Sequence, residues 1–373
     1  MKRILAVHPS DELYGADRVL LQAVQVLERL GRVNVWLPDD VEYRERLLTR
    51  ELTRAAVPVQ RTDVTVLRRE YARPRAIPGL VAKTWRTWRA LRRERPDLVY
   101  VNTSAMLPVA PLARLAGARV VVHVHEGWTL RERVLLGPLL WTAQHVVAVS
   151  EAVAAELPLA RRRVAVVHNG VDVPVVPAER RAEIRALVGA GEQDTLVVVA
   201  SRWNRWKGVD VLLDAWSRLD RDDLRLVVLG GPPPSGPAVD VKGIVETLPR
   251  RESVTVVGEV DDVAEWFAAS DAVAVPSIAP DPFPLVAVEA AAHGVAVIAS
   301  RTGGLPEMVA SGVTGVLLEP GDVQAWAGAL ARCDRSELRA MGRAAAERHR
   351  SDYTSTAFCR RLAVVVREAV RAK

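Results

Sequence analysis

Two carboxylates and a proline make segment 276–294 chemically distinctive. Glu289 lies among Leu, Val and Ala residues of helical character, and Pro284 suits the first turn of such a helix because its missing N–H would have no partner there. A helix that begins at Pro284 carries Glu289 inward by about one and a half turns, or roughly 8 Å. A carboxylate in such surroundings is costly unless it is fully hydrogen-bonded, and sugar hydroxyls are suitable donors. The alternative is a glutamate on the solvent-facing side of the helix.

Asp281 precedes Glu289 by eight positions and lies on the loop that leads into the same helix. A ligand at the amino end of the helix would pass Asp281, because the unpaired N–H groups there attract anions. The two carboxylates are therefore predicted to face one crevice. Taken alone, Asp281 is equally compatible with an ordinary turn or capping residue.

The segment 201–208 places cations directly after a predicted strand and before a predicted helix. It contains Arg202, Arg205 and Lys207 and ends at Gly208. The carboxyl end of a strand beside a helix amino terminus is where α/β folds bind phosphates. Arg grips phosphate oxygens in bidentate fashion and Lys supplies a point charge, so Arg202 and Lys207 together could stabilise a departing diphosphate. A solvated basic loop is the alternative, and Arg205 has no assigned role.

Two signals in the first half of the chain are weaker. His123 and His125 alternate along an apolar strand pattern, so their side chains are predicted on one face, with His125 at the carboxyl end. Gly15 lies between the first strand and a helix, where it could let backbone amides approach a phosphate or a sugar. A structural histidine and a plain turn are the alternative interpretations.

The elements that must position these residues follow the pattern of parallel strands covered by helices on both faces. The predicted strands are Arg3–Val7, Val33–Leu37, Leu98–Asn102, Val120–His125, Val146–Val149, Val164–Val167, Leu196–Ala200, Leu224–Leu229, Val254–Val257, Ala272–Val275, Val295–Ala299 and Gly315–Leu318. They form two α/β units in tandem. A helical segment from about Arg335 follows and adds no strand.

A proline-bearing stretch at 172–177 predicts the boundary between the two units. The predicted domains are residues 1–173 and 174–350, followed by a C-terminal helix at 351–373. A chain of 373 residues is longer than one hydrophobic core usually supports, which agrees with two domains.

The composition predicts a globular cytoplasmic protein. The chain is 49% hydrophobic and 26% charged, and it has no run near the roughly 18 apolar residues that span a bilayer. The first residues resemble a signal peptide only as far as His8, which favours a buried first strand. Cys333 and Cys359 lack metal-ligand spacing and are predicted to be ordinary thiols.

The spacing Asp281-x7-Glu289 resembles the Glu-x7-Glu signature of the fourth family of retaining glycosyltransferases, which have the GT-B fold. Other segments match that family in order along essentially the whole chain: the strand that ends at His125, His168-Asn169-Gly170, Arg202 with Lys207-Gly208, and Thr302-Gly303-Gly304. The resemblance implies two Rossmann-like α/β/α domains that face each other across a cleft. The first would bind the acceptor and the second the nucleotide-sugar donor, and the C-terminal helix would pack back on the first.

The resemblance also implies roles for individual residues. Glu289 would bind the ribose hydroxyls of the nucleotide, while Asp281 and His125 would contact the donor sugar. Arg202 and Lys207 would hold the diphosphate, so these two cations, Asp281 and His125 form the implied catalytic set. The other residues assigned to the donor are Gly15, Phe283, Leu285, Val286, Gly258 and Val260, the last two near the nucleobase.

The sequence departs from the family pattern at three positions. Asp281 is one methylene shorter than the usual glutamate, and Tyr14 replaces one of two glycines. Pro284 stands where glycine is common and lacks a backbone N–H that could bind the donor. A somewhat different donor geometry is therefore predicted. Gly303 and Gly304 would permit close backbone approach to the diphosphate or sugar, although a turn explains them equally well.

The expected reaction is transfer of a glycosyl group from a UDP- or GDP-sugar to a hydroxyl of a glycan, lipid-linked or small-molecule acceptor, with the anomeric configuration retained. No cofactor, metal or nucleic-acid partner is expected: we interpret no segment as a P-loop, as a dinucleotide-binding glycine motif or as an Asp-x-Asp metal motif. The alternatives are a sugar-nucleotide epimerase or hydrolase of the same fold, and a membrane-surface binding protein with a vestigial nucleotide site.

The first half of the chain is the basic half, since residues 1–175 hold 27 Lys and Arg against 18 Asp and Glu. Trp85 and Trp88 lie in its most positive region, a predicted helix Pro78–Arg95 that follows Arg68, Arg69, Arg73 and Arg75. The favoured interpretation is a core-facing tryptophan stripe with a solvated basic back. The alternative is a surface that docks on anionic lipid headgroups at the inner face of the membrane.

Overall fold

The computed structural model of the protein describes residues 1–68, 77–233 and 236–371. The predicted basic residues Arg69, Arg73 and Arg75 lie outside these ranges. Within them the strands are β1 (Lys2–Val7), β2 (Gly31–Pro38), β3 (Val59–Thr62), β4 (Leu98–Asn102), β5 (Arg119–Val124), β6 (His145–Ala148), β7 (Val164–Val166), β8 (Thr195–Ala200), β9 (Leu224–Leu229), β10 (Val254–Gly258), β11 (Ala272–Val275), β12 (Ala296–Ser300) and β13 (Gly315–Leu318).

The predicted strands all occur, with ends that differ by at most two residues. One strand was not predicted: β3 is a half-buried edge strand in which Gln60, Arg61 and Thr62 interrupt the apolar pattern. An edge strand pairs on one side only, so it does not need a continuous apolar run. Apolar periodicity therefore identified the inner strands and overlooked this one.

The helices connect the strands and cover the two sheets. They are α1 (Gly15–Glu28), α2 (Leu47–Arg54), α3 (Ile77–Glu94), α4 (Val109–Leu115), α5 (Leu130–Leu140), α6 (Glu151–Glu156), α7 (Ala178–Leu187), α8 (Val209–Ser217), α9 (Val241–Glu246), α10 (Ala264–Ala269), α11 (Leu285–Ala292), α12 (Leu305–Met308), α13 (Val323–Ala331), α14 (Arg335–Asp352) and α15 (Ser355–Arg371). In the described ranges, none of them has both the length and the apolar character needed to cross a membrane.

The first unit comprises residues up to Gly170 together with the segment from Ser355 onward. Its seven strands are all parallel, in the order β3-β2-β1-β4-β5-β6-β7. The chain order reverses between β1 and β4, and ligands of open parallel sheets bind outside the carboxyl ends of the strands at such a reversal. The predicted C-terminal helix is α15, and its apolar face completes the core of this unit through Phe358, Leu362 and Val366.

The second unit comprises Val171–Thr354 and has six parallel strands in the order β10-β9-β8-β11-β12-β13. Its core contains the fully buried Trp326, with Trp216 of α8 and Ile298 of β12 in the same apolar cluster. The chain order reverses between β8 and β11. This is the second place where the fold predicts a binding crevice.

The chain leaves the first unit at 170/171 and returns to it at 354/355. The boundaries predicted from the sequence were 173/174 and 350/351. Two hydrogen bonds account for the observed positions. Val171 N donates to Tyr353 O at 2.8 Å, and His349 Nε2 lies 2.8 Å from Val171 O. The entering and leaving segments are therefore joined to each other within the second unit.

Cys333 and Cys359 form no disulfide in the described part of the chain, in agreement with the prediction that they are ordinary thiols. Burial raises the pKa of the Cys333 thiol to about 11. Near neutral pH Cys333 is therefore in the thiol form, which is less reactive than the thiolate.

Candidate active site

The cation-bearing loop after β8 and the loop before α11 are locked together in the second unit. Gly208 adopts φ +69°, and a Cβ there would lie 2.0 Å from Pro276 O. Ile278 N donates to Trp206 O at 2.9 Å. Because only glycine permits this approach, the two loops form one rigid edge at the reversal between β8 and β11.

Lys207 and Asp281, which the family resemblance assigns to the diphosphate and to the donor sugar, form an ion pair across these loops. Lys207 Nζ lies 2.6 Å from Asp281 Oδ2, and the side chains are only 20% and 9% exposed. The same ammonium lies 4.3 Å from the ring centroid of Trp206, within range of a cation–π contact. The charge of Lys207 is therefore held at the carboxyl edge of the sheet rather than on a solvated loop.

The glycine pair after β12 supports the backbone of Asp281. Gly303 has φ +56°, and a Cβ there would lie 2.1 Å from Asp281 O. Gly304 N donates to the same oxygen at 2.8 Å. Two explanations of these glycines were left open by the sequence: close approach of a diphosphate or sugar, or a turn. In the structure the close approach is to the chain itself, and it fixes the position of the Asp281 carboxylate.

Helix α11 begins one residue later than predicted, because Pro284 is the cap (φ −71°, ψ 101°) and Leu285 is the first helical residue. The N–H groups of Leu285 and Val286 have no partner within the helix, as in any first helical turn. They lie at the carboxyl edge of the sheet, the edge where the loop after β8 carries Lys207. Phe283 is buried and packs against Tyr353, with ring centroids 6.4 Å apart, which anchors the loop before the helix.

Glu289 and Arg202 lie on the helix that follows β11 and on the loop that follows β8. Glu289 lies on the second turn of α11 and is half-buried, so its role in binding a donor stays a prediction. Arg202 is exposed and comes two residues after the last residue of β8. Since β8 and β11 are neighbours in the sheet, the loop that carries Arg202 and the helix that carries Glu289 both follow strands whose carboxyl ends meet at the edge with the Lys207–Asp281 pair.

Gly258 and Val260 lie at the end of β10, two strands from β8 in the sheet. Gly258 has φ +95° at an irregularity in the pairing of β10 with β9, and its carbonyl accepts from Gly230 N at 2.7 Å. Val260 is half-buried. Their assignment to a nucleobase remains a prediction.

In the first unit, the ends of β1, β4 and β5 bring Asn102, His8 and His125 together. Asn102 Nδ2 donates to Ala16 O at 3.3 Å, which orients the amide because a carbonyl can only accept. Asn102 Oδ1 therefore accepts from His125 Nε2, and Asn102 Nδ2 donates to His8 Nδ1, both at 2.8 Å. His125 thus carries its proton on Nε2 and leaves Nδ1 as an acceptor.

The chain of polar contacts continues from His8 to Asp17, on the first turn of α1. His8 Nε2 donates to Asp17 Oδ1 at 2.7 Å, and Ser10 Oγ donates to the same oxygen at 2.7 Å. Burial by itself raises the pKa of Asp17. The contacts of the carboxylate outweigh burial, above all the hydrogen bond and charge interaction with His8, and the net pKa is lowered. Gly15, the first residue of α1, follows Tyr14, whose N–H donates to Asp17 Oδ2 at 2.9 Å.

His123 and His125 share one face of β5, as predicted, with ring centroids 4.1 Å apart. Burial lowers the pKa of His123 to about 3. Burial, with His123 and His8 nearby, holds the pKa of His125 well below its ordinary value. Tyr100 Oη lies 2.6 Å from His123 Nδ1, and burial raises the pKa of that phenol, so Tyr100 is the donor. Both imidazoles are neutral at physiological pH.

Three residues of this polar cluster, His8, Asp17 and Asn102, were not predicted as site residues. A signal for two of them was present, because His8 follows the predicted strand Arg3–Val7 and Asn102 ends the predicted strand Leu98–Asn102. Their meeting depends on β1 lying beside β4, which strand patterns do not reveal. Asp17 lacked any local signal beyond its place in the first turn of a helix.

No segment was interpreted above as an Asp-x-Asp metal motif, although Asp220-Arg221-Asp222 has that spacing. In the structure this segment precedes β9, at the edge of the sheet opposite to Lys207 and Asp281. The Asp222 carboxylate is fully exposed and pairs with Arg250 at 2.7 Å. The motif therefore lies away from the candidate site.

Two family models match the chain. The model described as "Glycosyltransferase Family 4" matches residues 14–174, and the model described as "Glycosyl transferases group 1" matches residues 193–334. The first match ends close to the boundary between the two units, and the second lies within the second unit.

Curated relatives match part of the chain. A D-inositol 3-phosphate glycosyltransferase of Mycobacterium sp. (strain KMS) is 40% identical over 169 residues, which are 44% of this chain and 38% of the relative. The protein of the same name from Mycobacterium tuberculosis (strain ATCC 25177 / H37Ra) is 38% identical over 208 residues, 52% of this chain and 41% of the relative. The matched part thus spans about two fifths of the length of these relatives.

Solved structures match the whole chain. Anabaena Alr3699/HepE in complex with UDP and glucose has a TM-score of 0.79 at 22% identity, covering 98% of this chain and 100% of that one. A glycosyltransferase from Rickettsia africae ESF-5 has a TM-score of 0.81 at 18% identity, covering 100% and 99%. At these identities the likeness shows the fold, two parallel-sheet α/β domains of the GT-B type.

Proposed function

We propose, from the premise that this chain belongs to the family 4 glycosyltransferases of GT-B fold, that it transfers a sugar from a nucleoside diphosphate to a hydroxyl acceptor with retention of configuration. The donor would be held by the second unit. The observation that carries this proposal is the part-buried Lys207–Asp281 pair beside the first turn of α11.

The contacts of this edge suit a sugar diphosphate in two ways. Lys207 and Arg202 supply positive charge, and the N–H groups of Leu285 and Val286 supply donors at a helix amino terminus, where anions are stabilised. Asp281 supplies an acceptor for sugar hydroxyls within 2.6 Å of the same ammonium. We assign Glu289, on the next turn of α11, to the ribose hydroxyls, and Gly258 and Val260 to the nucleobase.

The proposed chemistry depends mainly on the leaving group. The bond between the anomeric carbon and the diphosphate oxygen breaks while the acceptor oxygen attacks the same face of the sugar, and the acceptor proton passes to the departing diphosphate. Lys207 and Arg202 stabilise the negative charge that develops on that diphosphate, which is the largest catalytic contribution expected here. The mechanism requires neither a covalent nucleophile nor a metal ion.

From the first unit we assign His125 to the transferred sugar. Its low pKa keeps the ring neutral, and Asn102 fixes its proton on Nε2. His125 Nδ1 is then suited to accept a hydrogen bond from a sugar hydroxyl rather than to pair with a phosphate. Gly15, at the start of α1, is assigned to the same sugar.

The comparisons direct the choice of substrates to test. Anabaena Alr3699/HepE, which shares the fold, binds UDP and glucose, which makes UDP-sugars the first donors, with GDP-sugars beside them. The relatives named D-inositol 3-phosphate glycosyltransferase make a polyol phosphate a reasonable acceptor to include. We propose a hydroxyl of a glycan, a lipid-linked sugar or a small molecule as the acceptor class.

The test incubates the purified protein with UDP- and GDP-sugars, with and without inositol phosphate, glycan and lipid-extract acceptors. Release of nucleoside diphosphate only when acceptor is present supports transfer, and proton NMR of the product reports whether the anomeric configuration is kept. Conversion of the nucleotide sugar without acceptor would refute transfer and favour an epimerase or hydrolase. Inversion of the anomeric centre would refute retention alone.

A further inference from the structure

Helix α3 of the first unit buries two polar side chains and exposes two apolar ones. The side of the helix that packs against the unit carries Lys83 and Thr87, which are only 8% and 2% exposed, together with the fully buried Leu91. The opposite side carries Val81 and Trp85, which are 64% and 54% exposed. An amphipathic helix normally buries its apolar face. The prediction of a core-facing tryptophan stripe is therefore wrong for Trp85.

The inward polar side is explained by partners within the unit. Lys83 Nζ lies 3.3 Å from Asp63 Oδ1 and 3.8 Å from Asp40 Oδ2. Thr87 Oγ1 lies 3.0 Å from Thr65 Oγ1 and accepts from Thr65 N at 2.9 Å. These contacts fix the rotation of α3 about its axis. As a result the tryptophan side must face outward.

The outward side forms an apolar groove with α4. The groove has a volume of about 430 Å³. Its apolar walls are Leu80, Val81, Trp85 and Trp88 of α3, with Leu112 and Leu115 of α4. Leu115 is 70% exposed, so the groove is open to solvent along its length. A continuous apolar surface of this kind on a soluble domain marks an interaction site.

A basic pocket adjoins the groove at the carboxyl ends of α3 and α4. It has a volume of about 460 Å³ and is lined by Lys2, Arg92, Arg95 and Arg119, with Asp97 as its one acidic group. The Asp97 carboxylate already accepts from Arg3 N at 2.7 Å. The pocket therefore keeps a clear excess of positive charge.

Arginines connect the apolar and basic parts. Arg92 lines the basic pocket and also lies over Trp88, with Cζ 5.4 Å from the ring centroid. Arg89 lies over Trp85 at 4.6 Å. By contrast Arg68 and Arg86 bond to Asp40 and Asp63 inside the unit, so their charge is already matched.

We propose that the α3–α4 face docks on an anionic phospholipid bilayer, with Trp85 and Trp88 at the headgroup level and lipid phosphates in the basic pocket. Tryptophan is enriched at membrane interfaces because its ring is apolar and its N–H is polar. A cationic pocket directly beside an apolar groove matches a phospholipid, in which a phosphate adjoins acyl chains. A groove that binds an uncharged segment of a partner protein would need no such basic pocket. The inference does not depend on the donor site of the second unit.

The test measures co-sedimentation of the whole protein with vesicles of phosphatidylcholine alone and of phosphatidylcholine with an equal amount of phosphatidylglycerol. Binding to the anionic vesicles only, weakening as salt is raised from 50 to 500 mM, is the expected result. Each cation near an anionic surface contributes about fivefold in affinity, so Arg92→Glu with Arg95→Glu should lower binding by about 100-fold or more. Trp85→Ala should lower it by about tenfold.

Matched controls are Val364→Ala, at a residue 53% exposed on α15, and Arg360→Glu on the same helix. Both should bind vesicles like the wild type, and thermal denaturation shows whether each variant is folded. Equal binding to neutral and anionic vesicles would overturn the proposal, as would unchanged binding of both test variants. Inorganic phosphate binding without any vesicle binding would also overturn it. The proposal would also be overturned if the protein bound no vesicles but formed a dimer that the Trp85→Ala substitution dissociates.

Discussion

Replacing Lys207 should weaken the binding of a nucleoside diphosphate, and replacing its partner Asp281 should strengthen it. The Asp281 carboxylate lies 2.6 Å from the ammonium that we assign to the diphosphate, and it is only 9% exposed on its side chain. It therefore competes with the phosphates for Lys207 and repels them. Asp281→Asn keeps the shape of the side chain and removes both effects.

The magnitudes follow from the burial of the pair. A hydrogen bond to a charged group contributes about 1.5–3 kcal/mol, so Lys207→Met should weaken binding of UDP or GDP by about 10- to 100-fold. Removing the competing carboxylate should strengthen it by about 1 kcal/mol, or roughly fivefold. Both variants should nevertheless transfer sugar more slowly, because Asp281 is assigned to the sugar and Lys207 to the leaving group.

Isothermal titration calorimetry with UDP and with GDP measures these affinities directly. Asp334→Asn is the matched control, because Asp334 caps α14 through backbone N–H groups and asparagine caps equally well. It should bind nucleotide like the wild type. Equal weakening by Asp281→Asn and Lys207→Met, or no change in either, would refute the reasoning.

Three further predictions concern the parts that hold the sites in place. Gly303→Ala should lower the thermal midpoint by several degrees more than Gly312→Ala, since both have positive φ but only Gly303 has a backbone oxygen 2.1 Å from the new Cβ; equal losses would contradict this. Asn102→Leu should convert His125 from one tautomer to a mixture visible in nitrogen NMR spectra, and an unchanged spectrum would show that the amide does not set the tautomer. His123→Asn should reduce the loss of stability on acidification, measured by urea denaturation at pH 7 and pH 5. The folded pKa of His123, about 3, lies below an unfolded value of about 6.5. The free energy of unfolding therefore falls as the pH drops below 6.5, by about 2 kcal/mol at pH 5. An identical decrease in the variant would refute this assignment.

The strands of both sheets were predictable because parallel strands covered on both faces are continuous apolar runs. β8 and β11 also end next to predicted functional loops, so their neighbourhood could be inferred once a Rossmann-like order was assumed. The exact start of α11 was not predictable, because proline fits both the cap and the first turn. The edge strand β3 was missed because one-sided pairing does not impose an apolar pattern.

Other features depend on contacts between distant parts of the chain. Periodicity shows that α3 has a polar side and a tryptophan side, but not which of them faces inward. That choice follows from Asp40 and Asp63, which bind Lys83 from loops far away in sequence. Likewise, the contact of Asn102 with His125 requires the observed strand order. In both cases the deciding information is tertiary.

A crystal structure of the protein with the nucleoside diphosphate that binds most tightly tests the central claim most directly. The account predicts phosphate oxygens within hydrogen-bonding distance of Lys207 Nζ and of the N–H groups of Leu285 and Val286, with ribose hydroxyls at Glu289. A nucleotide bound elsewhere, with Lys207 still paired to Asp281 and α11 uncontacted, would contradict it.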